Sequence, residues 1–172
     1  DTIYHTIPGF SFVNQEGKVI TEKDLEGKIF VASFFFATCP KICPKMNYNI
    51  KGVTEKFRLD PRVKFLSFTV DPEKDSVEAL SAYAREREAD NNQWWFLTGD
   101  KDSIYSIARD GFLVPAAGGK TAEDFFHSQD MMLKKKKKRI RGIYDGLDEA
   151  EVKRLCDEVE VLLQEDKEKD PV

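Results

Sequence analysis

Histidine is scarce in this chain. Of 172 residues only His5 and His127 carry an imidazole, so a site built on that group has two possible addresses. Cysteine is nearly as rare: Cys39, Cys43 and Cys156 allow at most one disulfide within the chain. A chain of this length buries a core without covalent staples, which weakens a purely structural reading of the cysteines. No apolar run reaches the roughly 18 residues that a membrane helix needs, and no segment reads as a signal peptide. Charge of a single sign is missing too. The 27 Lys and Arg residues stand against 31 Asp and Glu, a net charge of -4, and the mixture argues against a general nucleic-acid binder. Repeats and linkers are absent, so residues 1–172 are expected to form one domain. The first residue is Asp1 rather than methionine, so a fragment whose leader or anchor has been removed is expected.

What is present alternates strands with helices. "FSFVNQEGKVIT" (10–21) switches between apolar and polar residues around Glu16-Gly17, the pattern of a hairpin. "IFVASFFFA" (29–37) is apolar on both faces, as a central strand covered on two sides would be, and "VKFLSFTV" (63–70) and "WWFLTG" (94–99) resemble it. Asp75 or Ser76 can cap a helix carrying Val77, Leu80 and Ala84. Ile104, Ile107 and Ala108 mark another, closed by Gly111. "MML…RIRGIYDG" reads as strand, turn and strand. Val152, Leu155, Val159, Leu162 and Leu163 then define a last amphipathic helix behind Asp148 and Glu149. The polar tail 165–172 is expected to fray. This order implies an α/β fold with crossover connections.

The chemistry concentrates in "FFFATCPKICPKMNYNI" (34–50), where an apolar strand runs into two cysteines, each followed by proline. Pro44 fits the first position of a helix and makes Cys43 the expected cap residue. A helix N-terminus carries partial positive charge, which stabilises a thiolate. In a helical turn the two sulfurs fall on one side, about 6 Å apart by rise. Disulfide exchange and metal binding both need the thiolate, and the spacing leaves both open.

His5 reads as a solvated tail residue. His127 follows the loop "PAAGGKTAEDFF" and precedes the strand "MML". Functional groups of a parallel sheet gather at the carboxyl ends of its strands, and this loop can bring the imidazole over the cysteines. Two thiolates and an imidazole suit copper, whereas Zn(II) wants a fourth ligand.

"FFFATCPKICPKM", "SFTVDPEKDS", "HSQDMML" and "RIRGIYDG", in that order, resemble the Sco (SenC-type) copper chaperones. The resemblance runs from about Phe10 to the last helix. It implies a thioredoxin-like fold, a central mixed sheet flanked by helices with an N-terminal β-hairpin. It also implies one copper ion per chain, Cu(I) or Cu(II), held by Cys39, Cys43 and His127, with the two cysteines cycling between dithiol and disulfide. Implied partners are the copper-centre subunit of cytochrome c oxidase and other copper or thiol-redox proteins, but no nucleic acid. The implied location is the extracytoplasmic side of the cell-envelope membrane, through an anchor absent from this fragment, or the mitochondrial intermembrane space in a eukaryote. Two departures stand out: Lys41 where the family often has an acid, and "LKKKKKRIRG" in place of an Asp-Gly turn.

The rival to a metallochaperone is a thiol–disulfide oxidoreductase using Cys39 and Cys43, with a peroxidase of the same fold a weaker third. Redox enzymes of the thioredoxin class carry C-x-x-C and a cis-proline, whereas here the pair is one residue longer and the loop ends in histidine. Asp71 reads either as a strand-end turn acid or as a residue supporting the metal ligands. Cys156 reads as a buried core thiol, and Met131 and Met132 as packing residues on opposite strand faces. The run Lys134 to Lys138, continuing to Arg139 and Arg141, reads as a solvated hairpin turn or as a docking patch for an acidic partner or anionic lipid.

Overall fold

The computed structural model describes residues 9–38, 42–112, 130–134 and 140–169. His5, Cys39, Lys41, His127 and Lys135 to Arg139 lie outside these residues, as does the Cys43 side chain.

Among the described residues, seven strands and four α-helices follow in the order β1 (Ser11–Val13), β2 (Val19–Thr21), β3 (Ile29–Phe35), α1 (Ile42–Lys56), β4 (Val63–Thr69), α2 (Val77–Glu86), β5 (Trp94–Leu97), α3 (Lys101–Ser106), β6 (Asp130–Lys134), β7 (Ile140–Asp145) and α4 (Glu149–Lys169). β1 and β2 form the expected hairpin. Gly17, with φ +78, sits at its turn, in the left-handed region that glycine enters without steric cost. The other five strands make one mixed sheet in the order β5-β4-β3-β6-β7. β3, β4 and β5 are parallel, while β6 runs antiparallel to both β3 and β7.

All seven residues of β3 are buried, and the strand's period of two divides them between two cores. Ile29, Val31 and Phe35 pack with Met46, Ile50 and Val53 of α1, Leu80 and Tyr83 of α2, and Leu155, Val159 and Leu162 of α4. Phe30, Ala32 and Phe34 face Ile104 and Tyr105 of α3, Phe112, and Phe12 and Ile20 of the hairpin. Met131 and Met132 fall one into each core, and Cys156 is buried in the first. Burial raises the Cys156 thiol pKa, as expected of an inert core cysteine.

Ser76 is the cap of α2, its Oγ accepting from the Ala79 N–H at 3.2 Å. α3 passes into a π-helical turn, Ile107–Gly111. At the outer edge of β5, Val13 and Thr98 exchange two backbone bonds of 2.9 Å. Beside them the Gln15 amide donates to the Trp94 carbonyl at 2.8 Å and accepts from the Phe96 N–H at 2.9 Å.

Two expectations are corrected. α4 does not stop at Gln164 but continues to Lys169, with Glu165 bonded to Arg141 of β7 at 3.1 Å. Lys134 does not belong to a solvated turn either. It is the last residue of β6, fully buried, and pairs in register with Phe30. Its Nζ donates to the Gly111 carbonyl at 2.8 Å and lies 5.1 Å from the Phe112 ring centroid. Arg141, at the other end of the basic run, is bonded to Glu158 and Glu165 on α4.

Burial lowers the pKa of Lys134 to about 8. Between that value and the normal lysine range, the unfolded chain holds a proton that the folded chain has released, so folding gains stability as pH rises. Wild-type protein should therefore gain roughly 2–3 kcal/mol over Lys134→Met between pH 8 and pH 10, at about 1.4 kcal/mol per pH unit. Urea unfolding of both proteins across that range checks the slope.

Candidate metal and redox site

The candidate site lies where the sheet's parallel strands end. β3 and β4 finish together, Phe35 opposite Thr69, and the Val70 N–H still donates to the Phe35 carbonyl at 2.8 Å. β6 runs the other way, so its first residue, Asp130, starts at this same end. His127 precedes Asp130 by three positions in the chain.

The backbone of Cys43 is in the first turn of α1, one residue after Ile42 and before Pro44. The sequence expectation had Cys43 capping the helix, whereas the helix starts a residue earlier. Pro44 is accommodated there because first-turn N–H groups have no partner within the helix. The backbone of Cys43 still lies at the helix end where unpaired first-turn N–H groups and partial positive charge gather. No acidic side chain occupies that turn to oppose them.

One turn further along the same face is Asn47, fully buried. Its Nδ2 donates to the Tyr83 hydroxyl at 2.7 Å, and its Oδ1 has no hydrogen-bond partner among the described residues. Tyr83 itself lies beneath the Arg87 guanidinium, 3.2 Å from the ring centroid. This pairing couples the start of α1 to α2.

Asp71, the candidate supporting acid, is half-buried at the turn after β4. Its N–H donates to Thr69 Oγ1 at 3.0 Å, and its carbonyl accepts from the N–H groups of Lys74 and Asp75 at 3.1 and 2.9 Å. Those contacts make it a turn-forming residue. The more deeply placed acid is Asp75, only 2% exposed. Its Oδ2 accepts from Thr69 Oγ1 at 2.6 Å and from the Ala37 N–H at 3.0 Å. Burial raises its pKa and the charge of Asp71 adds to the rise, while the two hydrogen bonds pull the other way. Sequence reasoning offered Asp75 only as a cap. The signal was Ser76 next to it, which caps α2 and leaves the carboxylate available.

A second pair of acids meets across β6 and β7, where Asp130 and Asp145 are register partners. Burial and the Asp145 charge raise the Asp130 pKa. Among the described residues no group of three or more His, Cys, Asp or Glu side chains could hold a metal ion.

A family model described as SCO1/SenC matches residues 3–164. The chain belongs to the SCO1/SenC family. It is 27% identical over 150 residues to the SCO1 protein homolog of Bacillus subtilis (strain 168), covering 86% of this chain and 78% of that protein. A SCO1/SenC family lipoprotein from Bacillus anthracis str. Ames superposes with a TM-score of 0.80 at 28% identity, over 94% of this chain and 96% of that one. BsSco, reported with a disulfide switch and as a member of the Sco family of cytochrome c oxidase assembly proteins, superposes at 0.79. Its identity is 25%, over 93% of this chain and 94% of that one. The mixed sheet flanked by helices, with its N-terminal hairpin, is thus the thioredoxin-like SCO1/SenC fold.

Removing the Tyr83 hydroxyl would strand the buried Asn47 amide N–H beside this SCO1/SenC cysteine turn. Tyr83→Phe should cost about 1–3 kcal/mol, the penalty for an unsatisfied buried donor. The urea unfolding midpoint measures it.

Proposed function

We propose that this chain is a copper metallochaperone that serves assembly of the dinuclear copper centre of cytochrome c oxidase. One observation carries the reading: Cys43 stands in the first turn of α1 at the carboxyl end of β3, four positions after Cys39, in a chain of the SCO1/SenC family. Copper is cargo in this reading, one ion as Cu(I) or Cu(II), with Cys39, Cys43 and His127 as its ligands. The donor chemistry fits. Thiolate sulfur is a soft donor that holds Cu(I), and imidazole accepts copper in either oxidation state. The α1 N-terminus lowers the proton's hold on Cys43, and so the pH at which a metal can displace it.

The same two sulfurs set a control. Oxidised to a disulfide, they cannot supply two thiolates, so the redox state of Cys39 and Cys43 gates loading. The disulfide switch reported for BsSco supports giving this pair a redox role. It also favours a second reading, a thiol–disulfide oxidoreductase acting on protein cysteines. Residues 1–172 act as one domain in either case. The lipoprotein relative supports a place on the extracytoplasmic face of a membrane, held by an anchor outside this sequence. Partners in this reading are the copper-centre subunit of the oxidase and other copper or thiol-redox proteins.

Titrating the reduced protein with Cu(I) and with Cu(II) tests the proposal. Wild type should take up one equivalent, and His127→Ala, Cys39→Ser and Cys43→Ser should each lose affinity sharply. Failure of the reduced wild type to bind copper overturns the chaperone reading. For the oxidoreductase reading, turnover of disulfide substrates must depend on both cysteines, and unchanged rates in Cys39→Ser remove it.

A further inference from the structure

The sheet ladder holds β3 as far as Phe35, where the Val70 N–H makes the last bond between β3 and the β4 segment. Cys39 comes four residues later in the chain. In that interval the backbone has left the strand, and Ala37, two residues before Cys39, offers an N–H with no ladder partner. The Asp75 carboxylate takes it at 3.0 Å. The same oxygen takes the Thr69 hydroxyl, and Thr69 Oγ1 in turn accepts from the Asp71 N–H. Asp75 is itself fixed, its own N–H donating to the Asp71 carbonyl at 2.9 Å. A side chain on the turn before α2 thus reaches across to the segment leading into the cysteines, anchored by two bonds of its own turn.

This placement is costly. A buried carboxylate loses its hydration, and no cation is hydrogen-bonded to it among the described residues. An acceptor-only group nevertheless leaves no buried donor orphaned, and hydrogen bonds from neutral donors to an ionised oxygen are stronger than neutral ones.

We propose that Asp75 is a positioning residue for the cysteine pair: by accepting the Ala37 N–H and the Thr69 hydroxyl, it fixes the exit of β3 so that Cys39 is held in register with Cys43 on α1. Asp75 touches neither copper nor sulfur in this role. Holding two thiols in a productive arrangement raises their effective concentration toward each other. Loosening the exit therefore penalises the disulfide against the open dithiol.

This inference rests on Cys39 and Cys43 being a chemically active pair, so its test uses their disulfide and needs no copper. The protein is equilibrated in buffers of reduced and oxidised dithiothreitol, and alkylation of Cys39 and Cys43 is read by mass spectrometry. In the oxidising direction the two cysteines lose two electrons and two protons to the cyclic disulfide of oxidised dithiothreitol. One S–S bond forms in the protein, and one dithiothreitol is reduced.

Asp75→Ala should lower the equilibrium constant for the protein disulfide about tenfold, about 30 mV for a two-electron couple. Asp75→Asn, which keeps an oxygen to accept both bonds, should stay within about threefold of wild type, whereas loss of charge alone would move it as far as alanine. Leu162→Val, a core change on α4, serves as a stability control, because it lowers the melting temperature without touching the turn.

An unchanged constant in Asp75→Ala overturns the proposal. So does an equal shift in Leu162→Val, which would make the effect general destabilisation, or an equal shift in Asp75→Asn, which would make it charge. A wild type that forms no Cys39–Cys43 disulfide overturns both this proposal and the redox part of the functional reading. A wild type that forms one, with Asp75→Ala unmoved, overturns the role of Asp75 alone.

Discussion

Everything in this fold hangs from β3. Its seven buried residues supply facing surfaces to two separate cores, and its two neighbours run in opposite directions, β4 parallel and β6 antiparallel. A slip of one residue would exchange Val31 and Phe35 for Phe30 and Phe34 and misplace both cores at once. Buried hydroxyls add a polar check. Ser33 and Ser67 lie 3.1 Å apart on the paired strands, and the Trp94 indole donates to Ser67 at 2.9 Å, an arrangement available in one register only. The strand so fixed delivers its carboxyl end to the cysteines. Precision at the site is inherited from the core.

At that end the structure collects acids. Asp71 and Asp75 follow β4, and Asp130 faces Asp145 across β6 and β7. Burial of Asp75 and Asp130 raises their pKa values, a cost paid against folding. Negative potential in the same region opposes thiolate formation and attracts a cation, while the first turn of α1 does the reverse for the thiol. Lys41 sits in the sequence between these influences. In the proposed reading, a helix end that favours a thiolate at Cys43 is set against carboxylates that favour a metal ion.

The strands and the hairpin were legible because their signals are local. A doubly apolar run marks β3, and Glu16-Gly17 marks the turn. The misread places each turn on a long-range partner. α4 passes Gln164, and its Glu165 meets Arg141 on β7, a contact that no local pattern encodes. Five consecutive lysines look alike, and only the period of two from Met132 singles out Lys134 as an inward position. Asp75 and Ser76 were interchangeable as caps until the hydroxyl was found on the Ala79 N–H and the carboxylate on the Ala37 N–H. Of the candidate site, the cysteine spacing and the distant histidine were readable only as a candidate donor set, and Cys39, His127 and the Cys43 side chain lie outside the described residues. The acid that organises the approach to them was not, because its role depends on where the β3 exit lies in space.

Gln15 has a consequence for how the molecule meets others of its kind. β5 is an edge of the five-stranded sheet, and an open edge invites another strand. The Gln15 amide, buried and bonded to both Trp94 and Phe96, imitates a peptide unit of a neighbouring strand, and the Val13–Thr98 pair continues the imitation. The border is occupied by the chain's own hairpin. The β5 edge of the sheet is thereby closed to a strand from another copy of the chain.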